Sequence, residues 1–145
     1  MLDLALAILH HLIVFSLVSV VFAELMMVRL GMDAAAVMRV AALDASYGVL
    51  AVLILVVGFL RAALALKGWH YYEHNAYFWA KIGTFTMIGM LSTPPTLSYL
   101  RWRRAGILPT SEMVAKVRRF LLAEVALFVP LLGFAAAMAR GYGEF

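Results

Sequence analysis

The chain has no cysteine in its 145 residues. Disulfides, thiolate metal ligands and cysteine redox chemistry are thereby excluded, although the absence fixes no compartment. Charge is scarce as well, with Asp, Glu, Lys and Arg making up 14% of the sequence. A soluble domain carries about 25%, so this surface is not built for water. Proline is limited to four residues, and three of them, Pro94, Pro95 and Pro130, lie inside apolar runs. The N-terminus lacks the basic region of a cleaved signal, opening Met1-Leu2-Asp3. No repeat, low-complexity tract or flexible linker divides residues 1–145, which read as one domain.

What remains is mostly apolar. The chain is 66% hydrophobic, with a mean hydropathy of +0.96, the composition of an integral membrane protein. Four runs have the length a bilayer demands: about Leu4 to Val28, Tyr47 to Leu66, Ala76 to Leu100, and Phe120 to Ala139. They lack strand alternation, so helices are expected to satisfy their backbones in lipid. Lys67-Gly68 is expected to end the second span. Asp33 can N-cap a short helix through Val37 and Val40, expected to lie along the interface between the first two spans. The fold class is therefore all-α, an integral membrane four-helix bundle.

The basic residues set its orientation. Arg101, Arg103, Arg104, Lys116, Arg118 and Arg119 crowd the third connection, and Arg29 and Arg39 join them from the first. The positive-inside rule puts these inside and leaves both termini and the His70/His74 loop outside, an N-out/C-out protein of a bacterial cytoplasmic (inner) membrane. This topology accounts for the net charge of +4 without a nucleic acid partner. Trp69, Tyr71, Tyr72, Tyr77, Phe78 and Trp79 suit an anchoring belt at the outer interface.

Ionisable residues inside a span are costly and are functional candidates by default. His10 and His11 fall about 10 Å below the outer surface at about 1.5 Å per residue, with Arg61 at a similar depth and Lys81 nearer that surface. Glu24 and Glu124 fall on the inner side, Glu24 close enough to the boundary to reach water and Glu124 within reach of Arg118 or a neighbouring helix. Tyr47, Ala51, Ile54, Gly58, Arg61 and Ala65 form one stripe on the second span, and Lys81, Phe85, Gly89, Ser92 and Thr96 one on the third. His10 shares a face with Asp3 and Glu24, whereas His11 points about 100° away, which makes His10 the inward candidate. Small residues on such stripes allow close helix approach, which plain packing also explains. Ser92, Thr93 and Thr96 are expected to serve carbonyls freed by Pro94-Pro95.

An imidazole with Arg and Lys at one depth suits haem b: His10 or His11 ligates the iron while Arg61 and Lys81 neutralise propionates. The second axial ligand is open among His11, His70, His74 and Lys81. Copper is the alternative, using His10, His11 and the soft donors Met26, Met27, Met87 and Met90. No zinc motif, Gly-rich phosphate loop or Ser-His-Asp order is expected to operate.

Several segments carry a family resemblance: Asp44-Ala45-Ser46-Tyr47-Gly48, Gly58-Phe59-Leu60-Arg61, Gly68-Trp69, His74-Asn75, Phe78-Trp79-Ala80-Lys81 and Ser92-Thr93-Pro94-Pro95-Thr96. Together they resemble a bacterial family of predicted membrane proteins known only as a domain of unknown function, over nearly the whole chain. More distantly the chain resembles the J-type protoporphyrinogen oxidase, a haem b protein with a His in its first span and a Lys opening a later one. His10 or His11 and Lys81 match those positions in kind, but the His that closely precedes that Lys is missing and Ser92-Thr93-Pro94-Pro95 replaces the following segment. Membrane copper-resistance proteins share the general style of bundle.

The expected function is a haem-b-binding, redox-active membrane protein. The alternatives are a small transport or proton-conducting protein that uses Glu24, Glu124, Arg61 and His10, with Asp44 and Tyr47 as further polar positions, and a structural or assembly subunit without cofactor. The lipid bilayer is the certain partner; a homo-oligomer and a membrane redox partner are both compatible with the Gly and Ala content.

Overall fold

The computed structural model describes residues 1–64 and 68–145 and is all-helical apart from short turns. Its elements are α1 (Leu2–Met27), α2 (Ala34–Leu64), α3 (Gly68–Glu73), α4 (Ala76–Ala105) and α5 (Ser111–Ala139). The expected end of the second span at Leu66-Lys67, and Ala65 on its stripe, lie outside the described residues. Three helices, α1, α2 and α5, are long and apolar enough to cross a bilayer. The fourth long helix, α4, is as long as these, but Ser, Thr and Pro dilute its hydropathy.

Local chemistry sets the helix ends. Asp33 Oδ1 accepts from the Ala36 amide at 2.7 Å, as a capping residue should. The helix it starts is not a separate interfacial piece, however. It runs unbroken from Ala34 to Leu64, so the residues expected to lie along the interface are the first turns of α2. Nothing between Val40 and Tyr47 breaks a helix: the segment contains neither Gly nor Pro, and Asp44 finds a partner inside the protein. Asn75 caps α4 by accepting from the amides of Tyr77 and Phe78 at 3.0 and 3.2 Å. Gly106, at φ 62°, ends α4 in the left-handed conformation that glycine adopts freely.

The four long helices form a ring in which α1 packs on α2, α2 on α4, α4 on α5, and α5 on α1. The pairs α1/α4 and α2/α5 are therefore diagonal. Large apolar side chains such as Leu12, Phe15, Phe22, Val52, Val56 and Val129 point outward, while Glu24, Asp44 and Glu124 are buried inside. That arrangement inverts the pattern of a soluble bundle and suits a lipid surround.

The interior is layered. One apolar layer, with Leu25, Val28, Val40, Tyr99, Trp102, Val117 and Leu121, fills the end near the arginine-rich α4–α5 connection. A second, with Ile13, Leu17, Val21, Ile54, Val57, Ile88 and Phe128, fills the middle. On α4 the inward line passes through Ile88, Pro95 and Tyr99 rather than through Gly89, which is exposed. The expected stripe through Gly89 is thus one residue out of phase there, because Ile88 offers the larger apolar surface to bury.

Candidate functional site

A carboxyl layer lies between the two apolar layers. Glu24 from α1, Asp44 from α2 and Glu124 from α5 are 2%, 7% and 1% exposed. On each helix the acid sits between apolar residues of the two layers, as Glu24 does between Val21 and Leu25, so burial follows from helical phase. Helix α4 supplies hydroxyls. Thr96 Oγ1 donates to Asp44 Oδ1 at 2.8 Å, and Tyr99 Oη donates to Glu24 Oε2 at 3.4 Å. Tyr47 on α2 lies against Glu124 and Ser92. One oxygen each of Glu24 and Glu124 has no hydrogen-bond partner among the described residues.

One expectation fails in this layer. Glu24 does not reach water, since the turns beyond it are themselves packed by Val28 and Met32. Of the partners expected for Glu124, another helix supplies one through Tyr47 on α2, and Arg118 does not. The Arg118 Nη1 donates to the carbonyls of Leu25 and Val28, both at 2.7 Å, and so satisfies the C-terminal end of α1. The hydroxyls near Pro94-Pro95 also differ from expectation. Ser92 and Thr93 both donate to the Gly89 carbonyl, and Thr96 turns to Asp44.

The second site lies toward the other end of the bundle. His10, Gly58, Lys81, Phe85 and Phe128 are among the residues lining a cavity of about 100 Å³, partly open and walled by all four long helices. Gly58 lets the imidazole approach α2: a Cβ there would lie 3.6 Å from His10 Cε1. Lys81 and Arg61 are both within electrostatic reach of His10. Lys81 Nζ lies 5.5 Å from the centre of the Phe78 ring. His10 Nδ1 and Arg61 Nε are buried without a hydrogen-bond partner among the described residues. These unmet groups at the edge of an apolar space suit an amphipathic ligand with a polar or anionic end.

The expected set divides at this point. His10 is half-buried and lines the cavity, whereas His11 is exposed, its Nδ1 2.6 Å from the Ala7 carbonyl oxygen. His70 and His74 line a different recess, with Glu144 and Phe145. Of the residues considered as a second axial ligand, Lys81 is the one in the cavity wall with His10. Met26, Met87 and Met90 are exposed, and Met27 packs on the apolar layer near the arginine-rich end, so these copper donors lie away from the His10 cavity.

Around α3 the aromatic belt is a packed joint. Trp69, Tyr72 and Trp79 meet the buried Phe78 ring, and Tyr71 Oη donates to the Met138 carbonyl at 2.9 Å. Asn75 Nδ2 donates to the Tyr142 carbonyl at 2.9 Å, and the Ala76 amide to that of Gly143 at 2.8 Å. Nearby, Glu73 Oε1 lies 2.9 Å from His70 Nδ1 and 3.6 Å from His74 Nδ1. The hydrogen bond from His70 holds the Glu73 carboxyl below its ordinary range.

A family model described as predicted membrane protein (DUF2214) matches residues 2–143. The chain belongs to this family. The match covers all five helices and every residue of the two buried polar groups. No curated protein and no solved structure matches, so the likeness to the J-type protoporphyrinogen oxidase and to copper-resistance bundles gains no support.

As a DUF2214 member the chain is a membrane protein, and two of its polar partners were not legible as such in the sequence. Nothing local in the sequence singles out Tyr99, and only the α1/α4 diagonal places it on Glu24. Glu73 completes a His-x-x-Glu-His spacing with His70 and His74, a signal that was present and was missed when zinc motifs were set aside.

Proposed function

We propose that this protein crosses a bacterial inner membrane four times, with both termini outside, and holds haem b in the cavity walled by His10 and Lys81. The observation that carries this reading is the convergence of one imidazole and one ammonium on a single apolar space, within electrostatic reach of Arg61. At about 100 Å³ that space is smaller than the haem ring, so the helices would have to part to admit it. Haem b is a flat apolar ring with two carboxylates, and bundle interiors are ordinary sites for it. His10 would ligate the iron and Arg61 would neutralise the propionates; Lys81 would either join Arg61 there or serve as the second iron ligand. Bound haem would supply one-electron chemistry. Phe85 and Phe128 would pack against the ring, and the apolar lining would keep water from it.

A visible spectrum of detergent-purified protein, expressed with adequate haem, tests the proposal. A Soret band that is lost in His10→Ala and kept in His11→Ala is the expected result. Haem-free protein, or a band that survives the double variant, overturns it.

The carboxyl layer supports a second reading, proton handling coupled to transport. Three acids meeting hydroxyls inside a membrane bundle form a proton-binding station. His10 and Glu24 are separated by about 21 Å along α1 at about 1.5 Å per residue, and the Leu17–Ile54–Phe128 layer lies between them. A transfer path would therefore have to open this layer. Proton flux in liposomes that disappears in Glu124→Gln would favour this reading. Haem-free protein without flux would point instead to an assembly subunit, for which co-purification is the test.

A further inference from the structure

We propose that His70, Glu73 and His74 bind a divalent transition-metal cation, with Zn²⁺ the ion their donors suit best. The site lies at the α3–α4 junction and is separate from the His10 cavity, so it stands or falls independently of the haem proposal.

Three features of the backbone and side chains carry the inference. The two histidines are four residues apart on one turn, which the His74 amide closes onto the His70 carbonyl at 3.4 Å. This spacing brings their rings together on one face, centroids 4.3 Å apart and planes tilted by 56°. Glu73 then presents a single oxygen to both Nδ1 atoms, at 2.9 and 3.6 Å. One donor atom from each of the three residues lies within 4.8 Å of the other two. Donors about 2.0–2.2 Å from a tetrahedral zinc stand somewhat closer together than this, so the three side chains would have to close in to complete the site.

The chemistry agrees with the geometry. Two imidazoles and one carboxylate form a donor set that zinc uses, and the His-x-x-Glu-His order supplies the pair of histidines, four residues apart on one helical face, that zinc sites use. A fourth donor is at hand. Glu144 lines the recess that holds His70 and His74, and the Phe145 amide donates to the His74 carbonyl at 3.1 Å. The tail that brings Glu144 there is held by Asn75 and Ala76 through Tyr142 and Gly143. A bound cation would thus replace the hydrogen bond between His70 and Glu73 and that between His74 Nδ1 and the His70 carbonyl, 3.1 Å long, and tie α3 to the segment after α5.

Zinc titration by calorimetry into chelator-treated full-length protein in detergent tests the site. One Zn²⁺ per chain is expected, with affinity lowered about tenfold or more in His70→Ala, in His74→Ala and in Glu73→Gln, a loss typical of damaged metal sites. His10→Ala and His11→Ala should leave it unchanged. A second measurement needs no variant: Zn²⁺ should protect His70 and His74 of the wild-type protein from diethylpyrocarbonate, read by mass spectrometry. Binding that persists in the His70→Ala/His74→Ala double variant, absence of one-to-one binding, or absence of protection at these two residues would overturn the proposal.

Discussion

Tyr99 reaches across the bundle's diagonal to Glu24: its hydroxyl lies 3.4 Å from the carboxyl on α1, although α1 and α4 do not otherwise pack as neighbours. Both side chains are almost fully buried. Tyr99→Phe keeps the ring and removes the donor, leaving the carboxyl with one partner fewer in an apolar setting. A loss of about 1–3 kcal/mol is expected for an orphaned buried group. Thermal unfolding in detergent should show a lower midpoint for Tyr99→Phe, and Glu24→Gln/Tyr99→Phe should be less than additive.

Arg118 supports the same end of the bundle by a different route. Its guanidinium holds the Leu25 and Val28 carbonyls at 2.7 Å each, and α1 has no basic residue of its own in its last turn. Arg118→Ala should cost about 1.5–3 kcal/mol for each charged hydrogen bond lost, less whatever water recovers. Hydrogen exchange at the C-terminal end of α1 should rise in this variant. Unchanged exchange there would show that the carbonyls find water without cost.

Gly58 controls access to His10. With a Cβ at 3.6 Å from the ring, Gly58→Ala is ordinary contact, and Gly58→Leu carries its side chain into the space the imidazole and cavity share. The haem proposal predicts a normal Soret band in Gly58→Ala and a shifted or depleted band in Gly58→Leu. Equal spectra for both would separate the ligand from this wall of the cavity.

Gly143 should resist substitution. It has φ 89°, and an added Cβ would collide with the Tyr77 ring. Gly143→Ala is expected to release the tail, exposing the Ala76 amide and the Asn75 side chain that it now covers. Loss of the Asn75 cap itself, in Asn75→Ala, should cost about 0.5–2 kcal/mol. Proteolysis after α5 should accelerate in both variants, and Zn²⁺ should slow it if Glu144 joins the proposed site.

The long helices were legible because hydropathy reports them directly. The first and fourth apolar runs become α1 and α5 with shifts confined to their ends. Hydropathy cannot tell a buried Asp44 from a boundary Asp44, and this is why α2 was expected in two pieces. Helical phase ranked His10 ahead of His11 for an inward position, and His10 is the half-buried one of the two, because phase depends on spacing alone. The Tyr99–Glu24 pair and the tail clasp, with partners 75 and 67 residues apart, follow from how helices close into a ring and have no local signal.

The carboxyl layer also has a consequence for biogenesis. Glu24 and Asp44 belong to the first two long helices, but the hydroxyls that meet them come from α4 and the third acid from α5. An α1–α2 hairpin alone would carry both acids without those partners. Each would be protonated, drawn toward the interface, or open to capture by another protein. Only the arrival of α4 and α5 closes the layer, so Glu24 and Asp44 gain their hydroxyl partners in the complete bundle and not in the hairpin.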